Sequence, residues 1–199
     1  MLKMNKELSN IKLLIGLGNP GKTYGHTYHN AGRLLIDYFL KNSPSLHSAN
    51  GLKFRKPTAS KNFEYLKTED VIFARPLLFM NESGTAVQTA LKFFNVKPEE
   101  LLIIHDDSDI ELGSYKISFG RGAGGHHGAE SIIQKLRTKD FWRLRIGVRR
   151  GLTQIHPHTK FWCGGKRRPT QTATNNFPRP PASASSAGEW RAGKSAFSQ

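Results

Sequence analysis

The sequence predicts an α/β fold: a single domain with a central mixed β-sheet flanked by helices over residues 11–150, with C-terminal elements missing. Three observations carry this prediction. Short β-rich apolar runs alternate with stretches of helical periodicity as far as Arg150. The 199 residues suffice for one domain with a real core and are too few for two large ones. From 152 to 199 only Leu152 and Ile155 are Leu, Ile, Val or Met and five residues are proline, so nothing there can build a core.

Taken in order, Ile11-Lys12-Leu13-Leu14-Ile15 is a β-rich run closed by a glycine turn. Ala31–Leu40 carries Leu34, Leu35, Tyr38 and Phe39 at helical spacing. Leu52–Lys56, Phe63–Lys67 and Val71–Arg75 read as successive strands, and Ser83–Phe94 as a helix with Val87, Leu91 and Phe94 on one face. Pro98-Glu99-Glu100 opens a turn. Leu101–His105 is a continuous apolar run, the pattern of a buried strand whose end carries polar chemistry. Tyr115–Phe119 alternates as a strand, Ala129–Arg137 is a helix with Ile132, Ile133 and Leu136 inward, and Leu144–Val148 is the last strand. Residues 1–10 form a short N-terminal extension, and 151–199 are predicted to be a disordered, aberrant basic tail.

Thirty Lys and Arg against fifteen Asp and Glu give a net charge of +15, which favours a polyanionic partner such as nucleic acid. Residues 1–150 carry +9 of it and residues 151–199 carry +6, so the basic character does not belong to the tail alone. No apolar run approaches the roughly 18 residues needed to span a bilayer, so no membrane partner is expected. The single cysteine, Cys163, excludes an internal disulfide and a zinc site of several thiolates. The first ten residues lack the apolar core of a secretory signal and the arginine of a transit peptide. The cytoplasm is the expected location, with an organelle as the alternative.

Five motifs stand out. Gly16-Leu17-Gly18-Asn19-Pro20-Gly21 fits the letter of a dinucleotide fingerprint, but Pro20 interrupts it. No acid follows at the end of a second strand, so NAD(P) or FAD is disfavoured, and Asn19 calls for another role. His29 and Asn30 precede the first helix, where a cap or surface role is the plain alternative. Phe79-Met80-Asn81-Glu82-Ser83-Gly84 sets an amide between apolar side chains at a helix start: a cap, or an amide at a pocket rim. His105-Asp106-Asp107-Ser108-Asp109 is either a solvated strand end or the source of a carboxylate that orients a histidine. It lacks the further ligands that Mg²⁺ or Ca²⁺ would need. Gly120–Gly128 has five glycines in nine positions beside Arg121, and its backbone N–H groups suit a phosphate or a substrate backbone.

Together these residues resemble the bacterial-type peptidyl-tRNA hydrolase family over residues 11–150. The motifs come in family order: Gly-Leu-Gly-Asn-Pro-Gly with Tyr24 and His29-Asn30; Phe79-Met80-Asn81-x-Ser83-Gly84; His105-Asp106-Asp107-x-Asp109 with Gly113; Gly124-Gly125-His126 with Gly128; and Arg143-Leu144-Arg145-Ile146-Gly147. The resemblance implies hydrolysis of the ester between a peptide and the 3′ end of tRNA, recycling tRNA from peptidyl-tRNA dropped by ribosomes. It implies neither metal nor cofactor and a monomer. His29 resembles the general base, Asp106 the carboxylate that sets its tautomer, and Asn19 the amide that reads the peptide. Asn81 resembles a substrate and oxyanion ligand, and Tyr24 and Phe79 contacts to the tRNA acceptor end. Met80, His126 and His127 fall at further substrate-binding positions, and Arg145 at a phosphate contact.

The chain departs from the family at Tyr28, where the family often has Arg. It departs again at His127, where the family often has Asn, and at Ser118, where the family has a phosphate-binding Lys. Lys116 and Arg121 are near enough to substitute for that lysine. The largest departure is Gly151–Gln199, which lacks the strand and amphipathic helices that family members carry there. As a hypothesis, a frame shift or altered splicing near codon 151 accounts for this, and sequencing the transcript tests it. The alternative function is a weakly active or inactive RNA-binding relative of the splicing-factor kind.

Overall fold

The computed structural model describes residues 8–42 and 53–149. The tail expected over 151–199, most of the N-terminal extension and Leu52 therefore lie outside the described residues.

Six strands form one sheet: β1 (Leu13–Gly16), β2 (Phe63–Lys67), β3 (Ile72–Pro76), β4 (Leu101–Glu111), β5 (Tyr115–Phe119) and β6 (Trp142–Arg149). Their spatial order is β2-β3-β1-β4-β6-β5. β3, β1, β4 and β6 run parallel, while β2 and β5 close the two edges antiparallel, so the sheet is mixed as the sequence predicts. Among the described residues, three helices cover it: α1 (Ala31–Asn42), α2 (Ser83–Phe94) and α3 (His127–Leu136). None of the described helices is long and apolar enough to cross a membrane.

Because side chains alternate across a strand, the sheet makes two cores. On one face Leu13, Ile15, Leu101 and Ile103 pack against Val87, Ala90 and Leu91 of α2 and Ile132 of α3. On the other, Ile104, Phe73 and Leu66 pack against Ile36 of α1. The fully buried positions of α1 are Ala31, Gly32 and Ile36; of the residues at the expected spacing, Leu35 packs partly buried on this core and Phe39 meets Phe73 with ring centroids 5.7 Å apart, while Tyr38 is exposed. Gly32 marks a close approach. A Cβ on Gly32 would stand 2.2 Å from the Ile104 carbonyl oxygen, so only glycine lets α1 lie this close to β4. That contact puts the start of α1 at the C-terminal ends of β1 and β4, where open parallel sheets bind ligands.

Two segments differ from expectation. Leu52–Lys56 was expected as a strand, but within the described residues only Arg55 bridges to Tyr65, through backbone hydrogen bonds of 2.7 and 2.8 Å. Pro57 follows at once and has no N–H with which to extend a ladder. β4, expected to end at His105, continues to Glu111, because β6 keeps pairing with it through Asp106–Ile146 and Asp107–Gly147. The acidic stretch is thus a strand, with an irregular register only after Asp107.

Candidate active site

Four connections meet at the C-terminal ends of β1 and β4. They are the loop after β1 with Asn19, the 3₁₀ turn Tyr28–Asn30 ahead of α1, the 3₁₀ turn Met80–Glu82 ahead of α2, and the glycine loop ahead of α3. β4 itself supplies His105 and Asp106.

Asp106 is the hub. Its carboxylate lies 3.2 Å from His29 Nδ1 and, through Oδ1, 3.0 Å from His126 Nε2. Its side chain is only 7% exposed, as is that of His126, whereas His29 is 23% exposed. The bland reading of this stretch as a solvated strand end therefore fails at Asp106. Burial opposes ionisation of this carboxyl, but donors from His126 and His29 outweigh it and hold it well below the usual carboxylate range. The hydrogen bond that His29 donates to Asp106 raises the pKa of His29 despite partial burial. With its Nδ1–H given to a carboxylate, His29 carries its ring lone pair on Nε2.

Asn19 is gripped by Asn30, which precedes the first helix and belongs to the His29-Asn30 motif. The buried Asn30 accepts from the Asn19 N–H at 2.7 Å and donates to the Asn19 carbonyl at 3.1 Å. The Asn19 Oδ1 in turn accepts from the Met80 N–H at 2.7 Å, which leaves the amide NH₂ as the group Asn19 presents. Asn81 is exposed next to Met80. Met80 itself is buried, with its sulfur against Ser83 and close to Gly128, and so spaces the two loops from within. Tyr24 and Phe79 are exposed and meet edge to face, with ring centroids 6.2 Å apart.

The remaining predicted residues lie towards the other sheet edge. Arg145 donates to Asp107 Oδ2 at 2.7 Å and stands opposite Lys116 in the β5–β6 register, so the two cations share a face. Arg121 is exposed in the glycine loop. Arg143, one alternation before Arg145, is 2% exposed and donates to the Gly122 carbonyl at 2.8 Å, which anchors that loop. Ser118, at the family's lysine position, stands opposite Arg143. His127 projects outward with its side chain 61% exposed, 3.9 Å from Glu130. Nothing in the local sequence separates the buried Arg143 from the half-buried Arg145.

Between the loop after β1 and α1, an open recess of about 350 Å³ is lined by Asn19, Asn30, Arg33 and Asp37 among others. The ring nitrogens of His29 and His126 and an Asp106 oxygen lie within 4.8 Å of one another, a spacing that two imidazoles and a carboxylate can use for a cation. The donor chemistry does not fit one. His126 Nδ1 accepts from the Ala129 N–H at 3.1 Å, so its Nε2 carries a proton and points it at Asp106 instead of offering a lone pair.

Comparison with known proteins agrees with this geometry. Residues 13–162 match the family described as peptidyl-tRNA hydrolase. A peptidyl-tRNA hydrolase of Lactobacillus johnsonii is 43% identical over 146 residues, covering 70% of this chain and 72% of the relative. One from Cupriavidus necator is 41% identical over 138 residues, covering 69% and 68%. Among solved structures, a peptidyl-tRNA hydrolase in complex with N-propanol superposes with a TM-score of 0.63 at 32% identity, covering 77% of this chain and 72% of the other. The enzyme from Acinetobacter baumannii gives 0.62 at 32% identity, covering 73% and 72%.

Proposed function

Since this chain belongs to the peptidyl-tRNA hydrolase family, whose members are carboxylic ester hydrolases, we propose that His29 is the general base that activates water against the peptidyl-tRNA ester. The observation that carries this reading is the contact between His29 Nδ1 and the buried Asp106 carboxylate.

That contact leaves Nε2 as the basic nitrogen. Water gives a proton to Nε2 as its oxygen attacks the ester carbonyl, forming a tetrahedral oxyanion. Asn81 donates to that oxyanion, a contribution on the order of 3 kcal/mol to the barrier by analogy with other oxyanion donors. Collapse expels the 3′ oxygen of the terminal ribose, which recovers the proton from the His29 imidazolium. The products are tRNA and the peptide acid, which gives its proton to water to become a carboxylate.

Asn19 supplies selectivity. Its Oδ1 is occupied by the Met80 N–H, so it presents donors only. A donor suits the carbonyl of an acylated amino group and repels the ammonium of an unblocked aminoacyl ester, which has donors alone. Tyr24 and Phe79 offer an aromatic platform for the unpaired acceptor end, where stacking contributes roughly 1–3 kcal/mol per base. Arg145, Lys116 and Arg121 meet backbone phosphates, and His127 contacts substrate where the family has asparagine. His126 has both ring nitrogens engaged within the protein and supports Asp106 rather than touching substrate. The reading is completed by a monomer that works in the cytoplasm with no metal. The relatives named above are hydrolases, and nothing among them favours the splicing-factor-like alternative.

Single-turnover hydrolysis of an N-blocked aminoacyl-tRNA tests the proposal. The wild-type chain cleaves it, with an acid limb above pH 6.5 because His29 is raised from that value. His29→Ala retains tRNA binding and loses turnover by at least about a hundredfold. Cleavage by His29→Ala at the wild-type rate refutes the role.

A further inference from the structure

We infer that His126 is a positioning residue for the hydrolytic reaction: locked in one tautomer by the helix it caps, it orients the Asp106 carboxylate for His29. This rests on the reading of His29 as general base.

Two imidazoles share Asp106, and their surroundings make them unequal. His126 is the N-cap of α3, and its Nδ1 accepts from the Ala129 N–H at 3.1 Å. A proton placed on Nδ1 would face that N–H and break the cap, so the ring proton belongs on Nε2, 3.0 Å from Asp106 Oδ1. His29 sits instead in a 3₁₀ turn, with its Nδ1 at the Asp106 carboxylate. Its 3₁₀ turn ends in Asn30, whose side chain is committed to Asn19.

The His126 ring is packed between two other imidazoles. Its ring stacks at a tilt on His105, with centroids 4.4 Å apart, and meets the edge of His29 at 5.8 Å. Gly128 lies behind it, where an added Cβ would stand 3.0 Å from His126 Cε1. The charged and titratable groups in this neighbourhood are Asp106 and His105 from β4, His29 ahead of α1, and Arg143 from β6. Asp106 is the group that bonds to both His29 and His126, so it is the channel through which the second imidazole acts on the first.

The consequence is a division of labour. His126 spends part of the carboxylate's accepting capacity, fixes which way the carboxylate faces, and tempers its pull on the His29 proton. Without that donor, Asp106 holds a proton on His29 more strongly, and the base is protonated over a wider acid range.

Two substitutions separate this role from mere helix capping. His126→Asn keeps a cap acceptor for the Ala129 N–H but is too short to reach Asp106. His126→Gln gives up the cap and restores an N–H donor near the Nε2 position. The first measurement is long-range ¹H–¹⁵N NMR of the imidazoles in the full chain, which reads each tautomer and the His29 titration without any substrate. The expected result is a His126 Nε2–H tautomer and, in His126→Asn, a His29 midpoint raised by about one pH unit. His126→Gln brings the midpoint back towards wild type. In hydrolysis, kcat/KM of His126→Asn at acid pH falls about tenfold relative to wild type, while the alkaline plateau changes less.

A capping role alone reverses the order, with His126→Asn near wild type and His126→Gln impaired. That pattern overturns the inference. So does a wild-type His126 protonated on Nδ1, a result that requires no variant to fold. If the NMR pattern holds but the wild-type chain cleaves no N-blocked aminoacyl-tRNA, the hydrolase reading fails while the arrangement of the three residues stands.

Discussion

Acidification should unfold this protein through His105. The side chain is 1% exposed, its Nδ1 donates to the Asp106 backbone carbonyl at 2.6 Å, and its Nε2 has no hydrogen-bond partner among the described residues. Burial, reinforced by His126, pushes the imidazole down to about 3 from its ordinary value near 6.5. Between those two values the unfolded chain binds a proton at this site and the folded chain does not. Stability therefore falls as pH drops from 6.5 towards 3, by about 1.4 kcal/mol for each unit. At pH 5 the loss is about 2 kcal/mol, and it approaches roughly 5 kcal/mol at pH 3. His29 acts oppositely, because its raised pKa adds stability below its unfolded value and loses it as pH rises through the folded one. Asp106 contributes almost nothing between pH 7.5 and 5.0, since its lowered pKa gives a stabilisation that is lost as pH falls below its ordinary value of 3.8, and from there down it adds to the loss. The clean measure is a difference. Urea unfolding followed by circular dichroism at pH 7.5 and 5.0 compares wild type with His105→Asn, whose amide can replace the Nδ1 donor and does not titrate. The wild type should lose about 2 kcal/mol more than the variant across that interval, whatever the variant's own cost. Equal losses in both proteins would refute the assignment of a buried, neutral imidazole.

Three further outcomes follow from contacts already described. Asn30→Ala removes both bonds that grip the Asn19 backbone, destabilises the fold by about 1–3 kcal/mol, and raises KM for an N-blocked substrate more than it lowers kcat. Thermal melts and steady-state kinetics check it. Gly128→Ala brings a Cβ within 2.4 Å of the Met80 sulfur and 2.9 Å of Leu17, so it should cost about 1–3 kcal/mol by denaturant titration. The same change disturbs His126 and slows turnover. Arg145→Ala should weaken tRNA binding across tRNA sequences and reduce the slope of log affinity against log salt by about one, measured by filter binding from 50 to 200 mM salt. An unchanged slope would remove Arg145 from the phosphate contacts.

Legibility in the sequence followed sequence distance. α2 was readable to the residue because Val87, Leu91 and Phe94 recur at helical spacing over its length, and β5 because its alternation is local. Where neighbours in space decided the structure, the local pattern misled. β4 looked finished at His105 because acids usually mark a solvated end, yet β6, some forty residues further on, pairs with Asp106 and Asp107 and carries the strand on to Glu111. Leu52–Lys56 has the composition of a strand, but among its described residues only Arg55 gains a bridge, because Pro57 cannot donate.

By itself, the sequence determined the mixed α/β architecture of 11–150, the family, and which residue types gather at the site. Their motifs are local and sit at the strand ends that a parallel sheet brings together. Only the tertiary structure decided how those residues divide the work. Asn30 serves Asn19 across 11 residues, and His126 serves Asp106 across 20. Met80 is core rather than surface, and Arg143 is a buried anchor while Arg145 is half-buried and paired with Asp107. A hydrogen bond fixes a tautomer or an amide's facing only when donor and acceptor meet in space, and burial separates an anchor from a contact only after the chain has packed.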